Sequence, residues 1–304
     1  MKKIEYRLVN PSIYKKCLEN TDNLLKQVSL YTHKSVLKIT PKDIIFYFEE
    51  HYNIVFTFFD KENSARYIKF SYLAKNLDFI TLHEKLVCRM SGVTIPEEDR
   101  VVILLNQTMP LSRIIFTTLH ELCHMHFHEL EENRRIFASK FSGKYPDELM
   151  PFEDEANVMA SLLFCPTVKL EAFLTKNISF NKIKSMTNMS KKALHSRLIN
   201  YFIHIIGLNH DEALSLVLNY REDNHSSFLT IKKLISKRNS EKLNQTPLPV
   251  KISKGYILNY HSCIKFLREL SINELIFELE YAHSTHNHSL EQLVMNEYYK
   301  KVVE

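Results

Sequence analysis

Apolar positions recur along this chain first with a helical period and then with an extended one. Tyr14, Cys17, Leu18, Leu24, Leu25 and Val28 fall at loose helical spacing, which predicts a helix from about Ser12 to Leu30. Thr40-Pro41-Lys42-Asp43 reads as a cap followed by proline in the first turn, opening a second helix through Ile44, Ile45, Phe48 and Glu49. Ile54-Val55-Phe56-Thr57-Phe58-Phe59 is β-branched and aromatic, so a strand is expected there, and two more near Gly92 to Ile95 and at Val101 to Leu105. The stretch from Asp60 to Arg89 is too aromatic for an unstructured loop and too mixed in pattern to assign.

After Pro110 the period becomes helical, with Ile115, Phe116, Leu119 and Leu122 forming an apolar stripe on a helix from Leu111 to about Leu130. Pro151 opens another long helix through Phe164, ended or turned by Pro166, and short helical segments follow to about Tyr220. Polar stretches at Arg221 to Ser227 and Asn239 to Pro249 read as linkers. Beyond them Ile272, Leu275, Ile276 and Leu279 again keep helical spacing. The expected units are an N-terminal helical extension over 1–38, a core over 39–168, a helical segment over 169–220 and a C-terminal helical unit over 228–304.

Composition narrows the function classes. The 304 residues are 45% hydrophobic and 25% charged, enough to bury a substantial core. The longest apolar runs, such as Val101 to Leu105, fall far short of the roughly 20 residues of a membrane span, and the charged start leads into no signal-like segment. A cytoplasmic protein with no membrane partner is expected. Five scattered cysteines contain no C-x-x-C pair, so neither a disulfide framework nor a cysteine-rich zinc finger is indicated. The four glycines lie too far apart for a dinucleotide-binding fingerprint or a phosphate loop, which excludes nucleotide partners of those two types. Fifteen histidines and a net charge of +5 remain, and their positions matter more than their totals.

His120-Glu121-Leu122-Cys123-His124 lies within the predicted helix that begins at Leu111. Histidines four apart share one helical face, so both imidazoles can meet a single ion, and Glu121 flanks that face as a resident base. Catalytic zinc takes three protein ligands and keeps one position open. The next helix offers Glu153 and Glu155, which point about 200° apart, so only one can face the ion. Glu153 shares its stripe with Ala156, Asn157, Ala160 and Leu163, which suits close helix packing, so Glu153 is the expected third ligand and Glu155 the reserve. Asn157, one turn on from Glu153, is placed to hydrogen-bond the outer nitrogen of a liganding histidine. His128, one turn beyond His124, is a further candidate for that supporting role and lies too far along the helix to be a ligand. His126 faces away, and Cys123 is expected as a packing thiol.

Arg113-Ile-Ile-Phe116-Thr117-Thr-Leu-His120-Glu121-Leu-Cys-His124, followed by Glu153-Asp-Glu155-Ala156-Asn157-Val-Met-Ala160-Ser-Leu162-Leu163-Phe-Cys-Pro166, resembles the ImmA/IrrE family of bacterial metallopeptidases. The family's pattern is R-x-x-F-T-x-x-H-E-L-G-H and then E-x-E-A-N-x-F-A-x-x-L-L-x-P. The likeness covers roughly Ile39 to Leu208, with Cys123, Met159 and Cys165 standing where glycine, phenylalanine and methionine are usual. It implies an α+β, mainly α fold: a small mixed sheet packed on the HExxH helix and the glutamate-bearing helix, a minimal gluzincin-like core, followed by helical segments. It also implies a Zn²⁺ cofactor at His120, His124 and Glu153, with Glu121 as the catalytic base. The implied substrate is a helix-turn-helix transcriptional repressor, whose cleavage derepresses mobile-element or stress genes.

Between Lys176 and Arg197 the chain has six Lys/Arg and no Asp or Glu. The pattern there reads as two short helices, Phe180 to Thr187 and, after a Ser190 cap, Lys191 to Tyr201, with Ile183, Met186, Met189, Ala193, Leu194 and Leu198 as core. Met189-Ser190-Lys-Lys-Ala193-Leu-His-Ser-Arg197-Leu198 resembles the family's helix-turn-helix-like segment. Ser190, Lys191, Lys192, His195 and Arg197 are then candidate DNA or partner contacts, with DNA binding expected to be weak. The same helices would equally serve as packing or a protein-docking surface. A DNA-binding regulator with a structural or sensory metal site, and a non-cleaving adaptor that sequesters a repressor, are the alternatives to an endopeptidase.

Overall fold

The computed structural model describes residues 9–60, 77–128, 137–140, 149–245, 250–258 and 260–303. Helix α1 (Pro11–Thr32) starts where the Asn10 side chain accepts from the Ser12 amide and Pro11 needs no partner, and it ends on His33 in a left-handed conformation. Helix α2 (Pro41–His51) is closed at its start by a reciprocal pair, with Thr40 and Asp43 each bonding the other's backbone end. Strand β1 (Ile54–Asp60) follows, then β2 (Leu77–Thr81), the single turn α3 (Glu84–Val87), β3 (Met90–Pro96) and β4 (Val101–Asn106). The expected strands at 54–59, 92–95 and 101–105 all form. Strand β2 and α3 lie in the stretch left unassigned above, the rest of which, 61–76, is outside the described residues.

The sheet has the order β2-β1-β4-β3-β5, where β5 is Phe137–Lys140. Strand β1 runs parallel to β2 and β4, and β3 runs antiparallel to β4 and β5. Ile54 pairs with Val101 and Phe59 with Asn106, so β1 lies second from the edge, and it is buried along nearly its whole length. A strand covered on both faces has no polar side to show, which explains why it is apolar at all positions but Thr57 and Asp60.

Helix α4 (Leu111–Phe127) packs on β3 and β4 with one side and on α5 (Met150–Phe164) with another. Ala156 and Ala160 are fully buried on α5, and α1 lies against the same helix. Small side chains at that seam let the helix axes approach closely. The fold is therefore α+β, mainly α: a small mixed sheet packed on the HExxH helix and the glutamate-bearing helix.

Helices α6 (Thr167–Thr175), α7 (Phe180–Thr187), α8 (Lys191–Tyr201), a π-helical turn (Phe202–Ile206), α9 (His210–Arg221) and α10 (His225–Gln245) complete the body. The unit boundaries differ from those expected. One continuous apolar cluster runs from Tyr14 and Val28 of α1, through the sheet, to Ile231 and Ile235 of α10. Helix α1 is thus core material, and 169–220 share the same interior. The polar run from Asn239 that reads as a linker continues α10 to Gln245, with 246–249 outside the described residues. Its polarity belongs to a helix that buries only one flank, and Arg238 on that helix ion-pairs with Glu171 of α6. A second apolar cluster begins at Val250 and joins a short hairpin (β6, Val250–Lys251, and β7, Ile257–Leu258) to α11 (Tyr260–Glu269), α12 (Ile272–Ser284) and α13 (His288–Val303).

Among the described residues no single helix is long and apolar enough to cross a membrane. Helices α5 and α6 together reach that length and composition, but they bend by 49° at their junction and both feed the buried core.

Two residues of the basic segment depart from expectation. Met186, expected in the core, is 54% exposed. Arg197, expected as a DNA or partner contact, is 1% exposed: its Nε donates to the Cys165 carbonyl at 3.1 Å, one terminal nitrogen to Tyr14 Oη at 3.3 Å, and the other to Thr167 Oγ1 at 2.9 Å. A guanidinium spends three donors joining α8 to α1 and to the α5–α6 corner, so it is unavailable to a phosphate. Replacing it by alanine removes these bonds and leaves a large void. Arg197→Ala is expected to lower unfolding free energy by at least about 2 kcal/mol in a denaturant titration. A stability change within about 0.5 kcal/mol, the range of surface substitutions, would contradict the buried role.

Candidate metal centre

Helix α4 presents His120 and His124 to α5, and α5 answers with Glu153 in its first turn. The two Nε2 atoms stand 3.0 Å apart, with Glu153 Oε2 3.3 Å from His120 Nε2 and Oε1 3.5 Å from His124 Nε2. All three side chains are buried, at 3%, 0% and 2% exposure. Among the described residues this is the group of His, Cys, Asp and Glu whose ligand atoms converge within 4.8 Å of one another.

The donor set fits a metal ion. Ligands about 2.0–2.1 Å from a tetrahedral zinc stand roughly 3.3 Å from each other, which is the spacing seen here. Burial, partly opposed by Glu153, pushes the His124 imidazole down to about 3, so it is neutral and offers a lone pair. Burial also resists ionisation of Glu153, but the imidazoles of His120 and His124 outweigh it and hold the carboxyl at about 2. A neutral His124 imidazole, the His120 imidazole and one carboxylate are thus gathered in the interior, and Glu153 Oε2 has no hydrogen-bond partner. A buried anion with an oxygen left over is what a cation would satisfy.

Glu121 is fully buried on the sheet-facing side of α4, where the Thr94 hydroxyl of β3 donates to Oε2 at 2.6 Å. Gly92, two residues earlier on the same strand, makes the approach possible. A Cβ there would sit 2.5 Å from Thr117 Cγ2, 3.0 Å from Glu121 Oε1 and 3.2 Å from the Leu104 carbonyl. Neither Thr94 nor Gly92 was singled out from the sequence as a site residue. An isolated glycine inside a strand pattern, in a chain with only four glycines, is the signal that marks such a close approach.

The remaining candidates separate cleanly. His128 lies beside His124: its Nδ1 is 2.8 Å from His124 Nδ1. Asn157, also expected in that role, is exposed instead, because its position on α5 turns it away from α4. It lines a cleft of about 360 Å³ together with Arg113, Phe116, Asp154, Ser190 and Lys192. Glu155 is outside the cluster and ion-pairs with Lys16 of α1 at 3.0 Å. Ser190 caps α8 by accepting from the Ala193 amide, Lys191 and Lys192 are exposed, and His195 stands 3.4 Å from an Arg221 nitrogen. Cys123 is buried, and burial raises its thiol well above the ordinary range, in keeping with packing rather than reactivity. His126 lies 2.8 Å from Tyr52 Oη, away from the cluster.

A mixed sheet carrying an HExxH helix, with a buried glutamate delivered by the following helix, defines a metallopeptidase-like fold. Residues 80–198 match the family model for Peptidase M78, the IrrE N-terminal-like domain. Comparison with curated proteins returned no match.

The glycine contact generates a test. Gly92→Ala forces a methyl group against Thr117, the Leu104 carbonyl and Glu121, two of them side chains buried on α4. The expected cost is about 1–3 kcal/mol of stability by denaturant unfolding. An unaltered midpoint would show that β3 and α4 do not approach this closely.

Proposed function

We propose that the protein is a zinc-dependent endopeptidase in which His120, His124 and Glu153 hold the ion and Glu121 is the general base. The observation that carries this reading is the convergence of two buried imidazole nitrogens and a buried carboxylate on one point, beside a second glutamate on the same helix. Zinc held there supplies Lewis acidity, which makes a water acidic near neutral pH and polarises a peptide carbonyl. Glu121 accepts the proton of the attacking water and returns it to the departing amine nitrogen. The Thr94 hydroxyl holds one Glu121 oxygen, so the carboxylate that moves the proton keeps a defined orientation. Exclusion of solvent around all four side chains strengthens each of these interactions.

The substrate we propose is a helix-turn-helix transcriptional repressor in the cytoplasm, whose cleavage releases the mobile-element or stress genes it silences. Support comes from the match of residues 80–198 to the IrrE N-terminal-like domain together with the two ordered motifs. A DNA-binding regulator with a sensory metal site is less well supported, because buried Arg197 removes one of the cations that reading relies on. A structural metal site also has no need of a base at position 121.

Two variants test the assignment. Glu121→Gln should retain one zinc per chain by metal analysis while cleavage of a co-expressed repressor falls by at least about 100-fold. Retained metal with unchanged cleavage would sink the peptidase reading. Glu153→Ala should lose the metal while Glu155→Ala keeps it at stoichiometric loading, and the reverse pattern would exchange their roles.

A further inference from the structure

An unbroken line of polar contacts leads from the metal cluster to the surface of α1. His124 Nδ1 lies 2.8 Å from His128 Nδ1, and His128 Nε2 lies 3.4 Å from Glu155 Oε2. The Lys16 ammonium then donates to both Glu155 oxygens, at 3.0 and 3.1 Å. His128 is 8% exposed and its ring meets Phe152 edge-on at 5.1 Å, so the central ring of this line is held on its side as well as at Nδ1.

The protons along this line have one assignment compatible with ligation. A ligating His124 Nε2 must present a lone pair, so Nδ1 carries the proton and donates to His128 Nδ1. His128 Nδ1 is then an acceptor, which puts its own proton on Nε2, the atom 3.4 Å from Glu155 Oε2. Lys16 balances the charge of that carboxylate. The opposite assignment protonates His124 Nε2 and removes it as a ligand. His128 is not a fourth ligand, since one nitrogen meets the outer face of His124 and the other meets Glu155.

We propose that Lys16, Glu155 and His128 are positioning residues that fix the tautomer and ring orientation of His124, which makes α1 a working part of the metal centre. The inference rests on the zinc reading above. It extends the centre beyond the matched residues 80–198 and assigns Glu155 a purpose other than ligation. Carboxylate–histidine pairs behind a zinc ligand raise its basicity and hold its tautomer, and losing such a partner typically weakens metal binding about 10–100-fold.

The test is zinc affinity of the full chain, measured by competition with a chromophoric chelator, with circular dichroism as the check on folding. His128→Leu fills the same space but cannot accept a proton, whereas His128→Gln can accept from His124 and donate to Glu155. His128→Leu should bind zinc at least about tenfold more weakly, and His128→Gln should recover most of the loss. Glu155→Ala should weaken binding about tenfold, and Lys16→Met less, because that cation is 60% exposed and screened. Cobalt in place of zinc should show an altered visible spectrum in His128→Leu and a near-native one in His128→Gln. Wild-type affinity in folded His128→Leu, or equal weakness in the leucine and glutamine variants, would overturn the relay. If His128→Leu does not fold, wild-type affinity in Glu155→Ala overturns it. A wild-type protein that takes up no zinc would instead defeat the metal reading itself.

Discussion

The architecture depends on keeping one glutamate carboxylate and two imidazoles together where water cannot reach them. An ionised carboxylate taken into the interior is costly unless charge or hydrogen bonding answers it, and Glu153 is answered by His120 and His124 across the α4–α5 seam. The seam must therefore hold its register. Rotating α5 by one residue would swing Glu153 about 100° away from both imidazoles. Contacts at each end of α5 oppose that slip. Near its start Glu155 is tied to Lys16, and at its end the Cys165 carbonyl accepts from buried Arg197. Between them, Ala156 and Ala160 bring α5 close to its neighbours.

That view changes what the basic segment means. Six cations without an acid between Lys176 and Arg197 suggest a nucleic-acid face, yet the last of them turns inward and joins three elements. Arginine suits such a position because its planar fork holds several partners in fixed directions while the charge stays put. Lys191 and Lys192 remain at the surface, one of them at the rim of the cleft that also holds Arg113 and Phe116 of α4. The charge count is the same under either view, and only burial distinguishes a cation that meets solvent from one that fastens helices.

What the sequence made legible follows from how local each signal is. Proline after a cap, serine three residues before its amide partner, and histidines four apart all act within one or two turns. The limits of α2, α7 and α8 and the pairing of His120 with His124 could accordingly be read from spacing alone. The choice of Glu153 over Glu155 came from the small residues on its stripe, which is a packing argument still confined to one helix. Contacts between distant segments leave no periodic trace. Lys16 is 139 positions from Glu155, and Thr94 is 27 from Glu121, so neither could be paired with its partner by pattern. Asn157 does not reach His124 for a related reason: one turn along a helix keeps a residue on the same side only approximately, and His128, the C-terminal cap of α4, lies against His124 Nδ1 instead. A polar run does not by itself mark a linker: the stretch from Asn239 continues a helix to Gln245, because a helix packed on one flank can be polar on the rest of its surface.

Gly92 links the sheet to the chemistry in a way that periodicity conceals. Glu121 and the histidines face different neighbours: the imidazoles meet α5, while the Glu121 carboxylate leans on β3. Both distances must be short at once, which requires α4 to be pressed between a strand and a helix without spacer side chains on either. Alanines provide the clearance on the α5 side, and on the sheet side a single glycine does, backed by a threonine whose hydroxyl receives the carboxylate. Widening either contact by one methyl group moves α4 towards the other, so the position of Glu121 and the spacing of the imidazoles are set by the same two clearances. A chain with so few glycines places one of them in the middle of a strand, where it weakens the strand itself, and close approach to Glu121 is the compensating gain.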